Sequence, residues 1–388
     1  MKDVVIIGGG PAGITASLLF SRNGKKVSLI TDRWTILFSS GCFDILIPPD
    51  ENPSTPEEAI SSLFRNHPHH VLARITGGKE EVIWEGMEIL SSIYPFFVLV
   101  KKGEKFSNYL SDMGNTKKSW GSLKWVATKE YFENPREKIL VLPSNFLGIK
   151  AKFFAEVIKT CTGLDFQLFE IKGSLESYYE SLKNPELKTS IISSIGEEEK
   201  SFLLPPLFCG DYGKLKSAKE LLPTFESLNG LWLKEFLVEI LRKNAVEIIE
   251  EKVVDLEIKN GKGHKVITDK GREVEGDVFI ISTGKFLGGG MKFSEEKIKD
   301  WMGKFLTTSE TSKDHSALLS NFIPAHSQRI FSIGLKIDEN MRVYRDEGKR
   351  MDNIFACGMI ISNVDPFAWS MGFGFSALTA YILSKKLS

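Results

Sequence analysis

Cysteine is scarce in this sequence. Four stand among 388 residues, as Cys42, Cys161, Cys209 and Cys357. No two form a CxxC pair, which removes the usual ligand spacing of a structural zinc or an iron–sulfur cluster. Thiols this scattered make no disulfide scaffold either, and they read as reduced, mostly packed side chains. Excess charge is lacking too: 50 Lys plus Arg are balanced by 50 Asp plus Glu. Such a chain has no overall basic field for nucleic acid or an anionic membrane surface. No run of about 18 apolar residues exists to span a bilayer, and the most apolar stretches, 93–100 and 354–364, are far shorter. The start, Met1-Lys2-Asp3, leads straight into Val4-Val5-Ile6-Ile7 rather than into a secretory leader. A cytoplasmic chain is therefore expected, one that reaches the inner face of a membrane only through partners. Repeats and low-complexity tracts are missing as well.

What is present is organised from the first residues. Residues 4–7 are β-branched without interruption, as in a strand buried on both faces of a parallel sheet. Gly8-Gly9-Gly10-Pro11-Ala12-Gly13 follows, which is GxGxxG at Gly8, Gly10 and Gly13. A helix is expected over 12–21 and a second strand over 26–30. Strand, glycine turn and helix in that order form a dinucleotide site: the helix N-terminus offers unpaired N–H groups and partial positive charge to a pyrophosphate. The form GGGPAG is the flavoprotein version. The acidic residue that normally ends the second strand and binds ribose is missing. Its slot holds Thr31, with Asp32 one place later.

Three later segments fit the same fold. Residues 253–258, 266–268 and 278–281 predict an antiparallel meander that returns to the parallel sheet and runs into Ser282-Thr283-Gly284. Residues 334–339 predict a strand before the last cofactor segment. A further strand ends at Cys357-Gly358, followed by Met359 where many FAD enzymes carry Asp. Gly372, Phe373 and Gly374 then lead into a helix over about 375–386, its N-terminus aimed at a flavin. The fold class expected is α/β: a Rossmann-like FAD-binding fold with a parallel sheet, an antiparallel meander and an inserted second α/β domain. The flavin domain is expected to be discontinuous, over 1–45, 235–290 and 330–388. An inserted substrate or partner domain would take 46–234 and 291–329. Within it, 138–143, 151–161 and 166–171 predict strand, helix and strand, without a second GxGxxG. No motif covers 60–135.

Phe38-Ser39-Ser40-Gly41-Cys42-Phe43-Asp44 near the start and Val364-Asp365-Pro366 with Gly372 and Gly374 near the end are the most specific signatures. With Leu222-Pro223-Thr224 and the 282–290 glycine segment between them, they resemble the B subunit of the anaerobic glycerol-3-phosphate dehydrogenases, flavoproteins of the two-dinucleotide-binding-domain type. The resemblance implies a chain that oxidises sn-glycerol 3-phosphate to dihydroxyacetone phosphate in anaerobic respiration. Electrons would pass towards quinone through partners: a catalytic A-type flavoprotein subunit and an iron–sulfur subunit that anchors the complex to the membrane. It also implies cofactor contacts at Gly8, Gly10, Pro11, Ala12, Gly13, Asp32, Ser39, Ser40, Gly41, Thr283, Gly284, Gly358, Met359, Asp365, Gly372, Phe373 and Gly374. The family is usually described as holding FMN, whereas GGGPAG exists to hold a pyrophosphate, which FMN lacks; the motif ranks FAD ahead.

Alcohol oxidation by flavin needs a base and cations for the phosphate. His326 is the candidate base, and Lys285 and Arg329 the candidate cations, each weighed against the solvated role most such residues have. His67, His69 and His70 flank Pro68 and read as a solvated loop rather than a metal site, and Cys42 as a small packed residue. Two other functions stay open: a flavin relay or assembly subunit without a substrate site, and a stand-alone flavin oxidoreductase acting on another small alcohol or acid.

Overall fold

The computed structural model describes the chain except for residues 50, 112–115, 129–130, 132–137, 147–148, 164, 175–188, 190–191, 194, 196–200, 205–208, 211–214, 216, 221–227, 295–296, 309–328 and 346–347. His326 lies outside the described residues.

The chain begins with β1 (Lys2–Ile7), α1 (Pro11–Arg22) and β2 (Val27–Ile30). Val4, Val5, Ile6 and Ile7 are all buried, as an uninterrupted β-branched strand requires when helices or loops cover both its faces. Pro11 opens α1 at its first position, where its missing N–H costs nothing. Three helices follow in the stretch that no motif covered: α2 (Pro56–Asn66), α3 (Val71–Thr76) and α4 (Glu80–Ile93). Thr55 caps α2 by accepting the Glu58 N–H at 3.2 Å, and the Glu58 carboxylate reaches back to the Ser54 N–H at 2.6 Å. That reciprocal pair fixes the start of α2.

Short strands β3 (Phe97–Leu99) and β6 (Gly121–Leu123) pair antiparallel, as do β4 (Ser107–Leu110) and β5 (Thr116–Ser119). A second α/β unit holds β7 (Lys138–Phe146), β8 (Ile149–Lys150), α5 (Ala151–Thr162), β9 (Gln167–Ser174), β10 (Ser201–Leu204) and β11 (Ala218–Glu220). Its sheet has the order β11-β10-β7 with β9 on the other side of β7, all parallel, and β8 folded back antiparallel. The chain then re-enters the first unit through α6 (Leu228–Lys243) and β12 (Glu247–Ile249). Next come β13 (Val253–Lys259), β14 (Lys262–Thr268) and β15 (Glu273–Ile281). The hairpin β16 (Met291–Ser294) and β17 (Lys297–Asp300) follows, then β18 (Arg342–Tyr344), β19 (Arg350–Ala356) and α7 (Phe373–Leu387).

The main sheet runs β12-β2-β1-β15-β19, all parallel. The first half of β15 pairs antiparallel with β14, and β14 with β13, which makes the expected meander. This is the expected Rossmann-like α/β architecture. Residues 334–339 differ from expectation: they make single bridges, Leu335 to Ile361 and Ile337 to Val343, instead of a strand. A loop threaded between two others has no continuous partner to extend a ladder.

The described residues form two hydrophobic cores. The larger gathers both sides of the main sheet and also Ala59, Leu63, Leu72, Ile83, Leu90, Tyr94 and Trp120. The smaller belongs to the second sheet, with Leu140, Val141, Phe154, Ile158 and Phe202. Residues between Leu46 and Val126, expected in the insertion, thus supply much of the core of the cofactor sheet, although Leu110 joins the smaller core. The reason is α7: it is buried along nearly its whole length, and α4 lies against it with Gly86 facing Leu378 and Tyr381. The Thr15 and Tyr94 hydroxyls bond at 2.6 Å and pin α1 to the end of α4.

Residue 230 tests how α6 is seated. A Cβ built on Gly230 would lie 2.1 Å from the Leu37 carbonyl oxygen, a backbone atom. Gly230 lies in the first turn of α6; replacing a helical glycine by alanine gains at most about 1 kcal/mol, whereas overpacking costs roughly 1–3 kcal/mol or more. The clash wins because backbone cannot rotate away. Gly230→Ala is expected to lower unfolding stability by about 2 kcal/mol in urea titration; a gain would mean that α6 does not sit against Leu37.

Candidate functional site

The candidate site forms where β1, β2, β15 and β19 end. Gly8 adopts φ +120° and is held there by its N–H to the Ile30 carbonyl at 2.9 Å. A Cβ on Gly8 would sit 2.6 Å from the Ser282 carbonyl, and one on Gly13 would sit 1.9 Å from the Gly8 carbonyl oxygen. The Ser282 N–H and hydroxyl bond the Ile7 carbonyl at 2.8 and 3.0 Å. Turn, helix and β15 therefore meet at backbone contact, and only glycine fits.

The first turn of α1 carries no acidic residue, and no side chain caps it. Its orphan N–H groups and positive end face outward from the glycine turn, as a pyrophosphate requires. Beside it lies a cavity of about 410 Å³ walled by Gly8, Thr31, Asp32, Arg33, Val253, Thr283 and Gly289 among others. That is room for an adenosine next to the helix that would hold its phosphates. The residues present fit an FAD.

Thr31 explains how the site manages without the usual carboxylate. Its hydroxyl is buried, accepts the Gly9 N–H at 2.9 Å and donates to the Arg33 carbonyl at 2.8 Å. Thr31 thus braces the glycine turn. Asp32 is exposed on the cavity wall, with the Arg33 guanidinium 3.7 Å from its carboxylate.

Ser39, Ser40 and Gly41 follow a 3-10 turn, Thr35–Phe38, and are stitched down from the other side. The Asn229 amide donates to the Ser40 carbonyl at 3.1 Å and accepts the Trp125 indole N–H at 2.9 Å. Leu123 N–H bonds the Gly41 carbonyl at 2.8 Å. Thr283 and Gly284 lie at the end of β15, half-buried. Gly358 lies two residues past β19 and packs against Ala12, with its N–H on the Thr379 hydroxyl at 2.8 Å. Met359 is half-buried. Gly372 is the N-cap of α7, and Phe373 and Gly374 start it.

The candidate catalytic residues are placed differently. Lys285 is buried, and its ammonium donates to the Phe331 and Val364 carbonyls. Burial pulls it down to about 7, against the opposing pull of Asp365. It clamps the 282–290 loop to two others rather than facing a phosphate. The Asp365 carboxylate accepts the Phe367 and Ala368 N–H groups, both at 3.0 Å, which shapes its own turn. Arg329 is exposed and opens a 3-10 turn, Arg329–Ser332, whose Ile330 is buried.

Three groups escaped the sequence reading. His70, expected in a solvated loop, is buried. Its Nδ1 accepts the Leu72 N–H at 3.2 Å and caps α3. Its ring stacks on Trp369, in the loop before α7, with centroids 4.2 Å apart. His67 meets the edge of the same indole, and only His69 of the three is exposed. Histidine next to a helix start was the available signal. Asp44 is buried, with Oδ2 2.6 Å from the Lys117 ammonium. Burial pulls Lys117 down, but the Asp44 carboxylate more than offsets it and holds the amine above its usual value. Cys42 beside them is packed, its thiol pushed up to about 12 by burial and then by Asp44.

Known families match both halves of this arrangement. Residues 3–160 match the family model described as an FAD binding domain, and 231–359 the model of glucose inhibited division protein A. The chain is a flavoprotein with an FAD-binding segment. More particularly, it is similar to proteins named as the B subunit of anaerobic glycerol-3-phosphate dehydrogenase. That of Vibrio cholerae serotype O1 (strain M66-2) is 23% identical over 98% of this chain and 94% of its own. That of Pectobacterium atrosepticum is 21% identical over 99% and 98%. Among solved structures, a GidA-related protein from Thermus thermophilus covers 99% of this chain and 97% of its own, at 10% identity and a TM-score of 0.34. A 3-ketosteroid dehydrogenase from Rhodococcus jostii RHA1 covers 99% and 96%, at 11% identity and a TM-score of 0.38.

Two outcomes follow from this geometry. Thr31→Val keeps the shape but leaves the Gly9 N–H without its acceptor, at a cost of about 1–3 kcal/mol. Its purified protein should carry less flavin per chain, read from the visible absorbance. His70 is held at about 3 by burial, with His67 adding to the shift, against an ordinary value of 6.5. Between those values the unfolded chain binds a proton that the folded chain refuses, so stability falls as pH drops through the window. His70→Asn, which can still cap α3, should lose this dependence. The stability difference between wild type and variant should shift by about 1.4 kcal/mol per pH unit below pH 6 in favour of the variant. Parallel curves in urea unfolding at pH 4.5 to 7 would contradict the burial of a neutral His70.

Proposed function

We propose that this chain is the flavin-bearing B subunit of an anaerobic glycerol-3-phosphate dehydrogenase. It would oxidise sn-glycerol 3-phosphate to dihydroxyacetone phosphate and pass electrons towards quinone through partner subunits. The observation that carries the reading is similarity from end to end, 98% of this chain and 94% of the relative, joined to an FAD-binding segment at 3–160.

The flavin supplies two-electron acceptance from the alcohol carbon. The chain's own part is binding and field. In this reading, the α1 N-terminus and its glycines hold the pyrophosphate, and Asp32 with the main chain near Val253 holds the adenosine. Ser39 to Gly41, Thr283, Gly284, Gly358 and Met359 line the path to the ring. The N-terminus of α7, which also lacks an acidic first turn, favours negative charge on the ring's pyrimidine edge. We divide the chain by its two cores, so that the second unit runs from about Ala127 to Leu228, with Leu110 also packed into it.

A second reading, the flavin relay or assembly subunit, is favoured by one observation: Lys285 and Asp365 are engaged with backbone groups. In both readings an iron–sulfur partner supplies attachment to the inner membrane face; among the described residues no helix is long and apolar enough to cross a membrane.

Purified protein is expected to be yellow, to release a compound with the mass of FAD, and to reduce a dye with glycerol 3-phosphate when its A-type partner is present. Turnover by the chain alone would assign the substrate site to it. Turnover only with the partner would favour the relay. A colourless chain that takes up no flavin would sink both.

A further inference from the structure

One short segment supplies a whole side of the cavity beside α1, through Thr283, Phe286, Gly288 and Gly289. The segment is folded on itself. A Cβ on Gly288 would lie 1.7 Å from the Thr283 carbonyl oxygen, and one on Gly290 2.1 Å from the Gly284 carbonyl oxygen. The Gly290 N–H bonds the Lys285 carbonyl at 2.8 Å. Backbone packed this tightly shifts as one block. Lys285 belongs to that block, and its side chain is committed elsewhere: the Nζ donates to the Phe331 and Val364 carbonyls.

Those two carbonyls belong to one assembly. The Asn363 N–H bonds the Ser332 carbonyl at 2.8 Å, and the Phe331 and Phe367 rings meet with centroids 4.6 Å apart. From there the chain runs through Trp369, whose N–H bonds the Asp365 carbonyl at 3.1 Å, to Gly372, the N-cap of α7. A single amine therefore joins the wall of the cavity to the lead-in of α7. Lys285 is 8% exposed, and among the described residues no carboxylate bonds its amine. Asp365 acts on it only through charge, its own Oδ1 being turned to the Phe367 and Ala368 N–H groups, and Arg329 is exposed. Burial holds the amine down to about 7. A block swung away would bring it into water and back to an ordinary value near 10.4, so opening above pH 7 takes up a proton.

We propose that Lys285 is a positioning residue that latches the cavity wall to the α7 lead-in, so that a nucleotide in the cavity and the setting of residues 364–371 stabilise each other. The lysine does this without touching the ligand. A nucleotide that needs Thr283 and Gly289 in place selects the closed block, and the closed block holds Val364. This rests on the reading that the cavity takes the adenosine half of FAD.

The test labels the full-length apoprotein with acetic anhydride, which acylates only a neutral, accessible amine, and follows Lys285 by peptide mass. ADP is the probe for the cavity. An ordinary exposed lysine gains reactivity about tenfold per pH unit up to its value near 10.4. Lys285 is expected to label slowly, at a rate that stays level from about pH 7.5 to 9.5, because its neutral closed and neutral open forms interconvert without a proton. ADP at about ten times its dissociation constant, in a cavity that Lys285 does not line, should slow that labelling about tenfold. Lys285→Met, which fills the space without a donor, should bind ADP about tenfold more weakly. Should that variant fail to fold, labelling of the wild type decides alone. Labelling that climbs with pH as an exposed lysine's does, that bound ADP leaves unchanged, or that never occurs would each overturn the latch. So would undiminished ADP affinity in folded Lys285→Met. Wild type that binds neither ADP nor FAD would instead overturn the cofactor reading.

Discussion

One contact governs the molecule: the backbone of the first glycine turn against the end of β15. Gly8 and Gly13 lie so close to each other and to Ser282 that neither glycine has room for a Cβ, and the Ser282 hydroxyl fills the space that remains. Because β1 and β15 are adjacent and parallel, that contact fixes the height at which α1 begins. Gly358 against Ala12 then sets the end of β19 and, through Thr379, the rotation of α7. Two helix N-termini from opposite ends of the chain are thereby brought to one edge of one sheet. A dinucleotide needs positive ends separated along its length, and this packing supplies them before any ligand contact is made.

Electrostatic economy around that edge follows a consistent rule. The position that usually carries a carboxylate holds Thr31, and its hydroxyl is spent on the turn itself. The first turns of α1 and α7 are free of acidic residues. Where a carboxylate does approach a helix start, as Asp44 does, an ammonium accompanies it. Negative charge near a phosphate or a reduced flavin would oppose binding or reduction, so each departure is either neutral or neutralised. Lys285 shows the converse: a buried cation without a full counter-charge sheds basicity, and its donors go to carbonyls that tie three loops together.

Much of the fold was legible because its signals are local. The β-branched run 4–7, the glycine turn and the meander of 253–281 each declare themselves by composition and turn residues within a few positions. Helices α2 to α4 were not read, although Thr55-Pro56 before Glu58 is a capping signature. Their assignment to the main core was beyond reach, since it depends on Gly86 meeting Leu378, a contact between residues far apart in sequence. The glycines of the site were legible for the same reason as the turn. The setting of Lys285 was not legible, because nothing in its neighbourhood along the chain announces the carbonyls of Phe331 and Val364.

Asp44 shows where sequence reading reaches its limit. The motif it closes was recognisable as a string, but the string gives no reason for its final carboxylate. That reason lies in Lys117 and in Gly372, more than 70 and more than 300 residues further along the chain. Packing alone does not account for it, because an apolar residue of similar size would fill the space without desolvating a charge. A buried ion pair with one oxygen left open costs stability, and it is retained where it fixes a geometry that apolar packing would not specify. What the structure gives the FSSGCFD segment is a hold on α7: the Asp44 carbonyl accepts the Gly372 and Phe375 N–H groups, which sets where that helix begins.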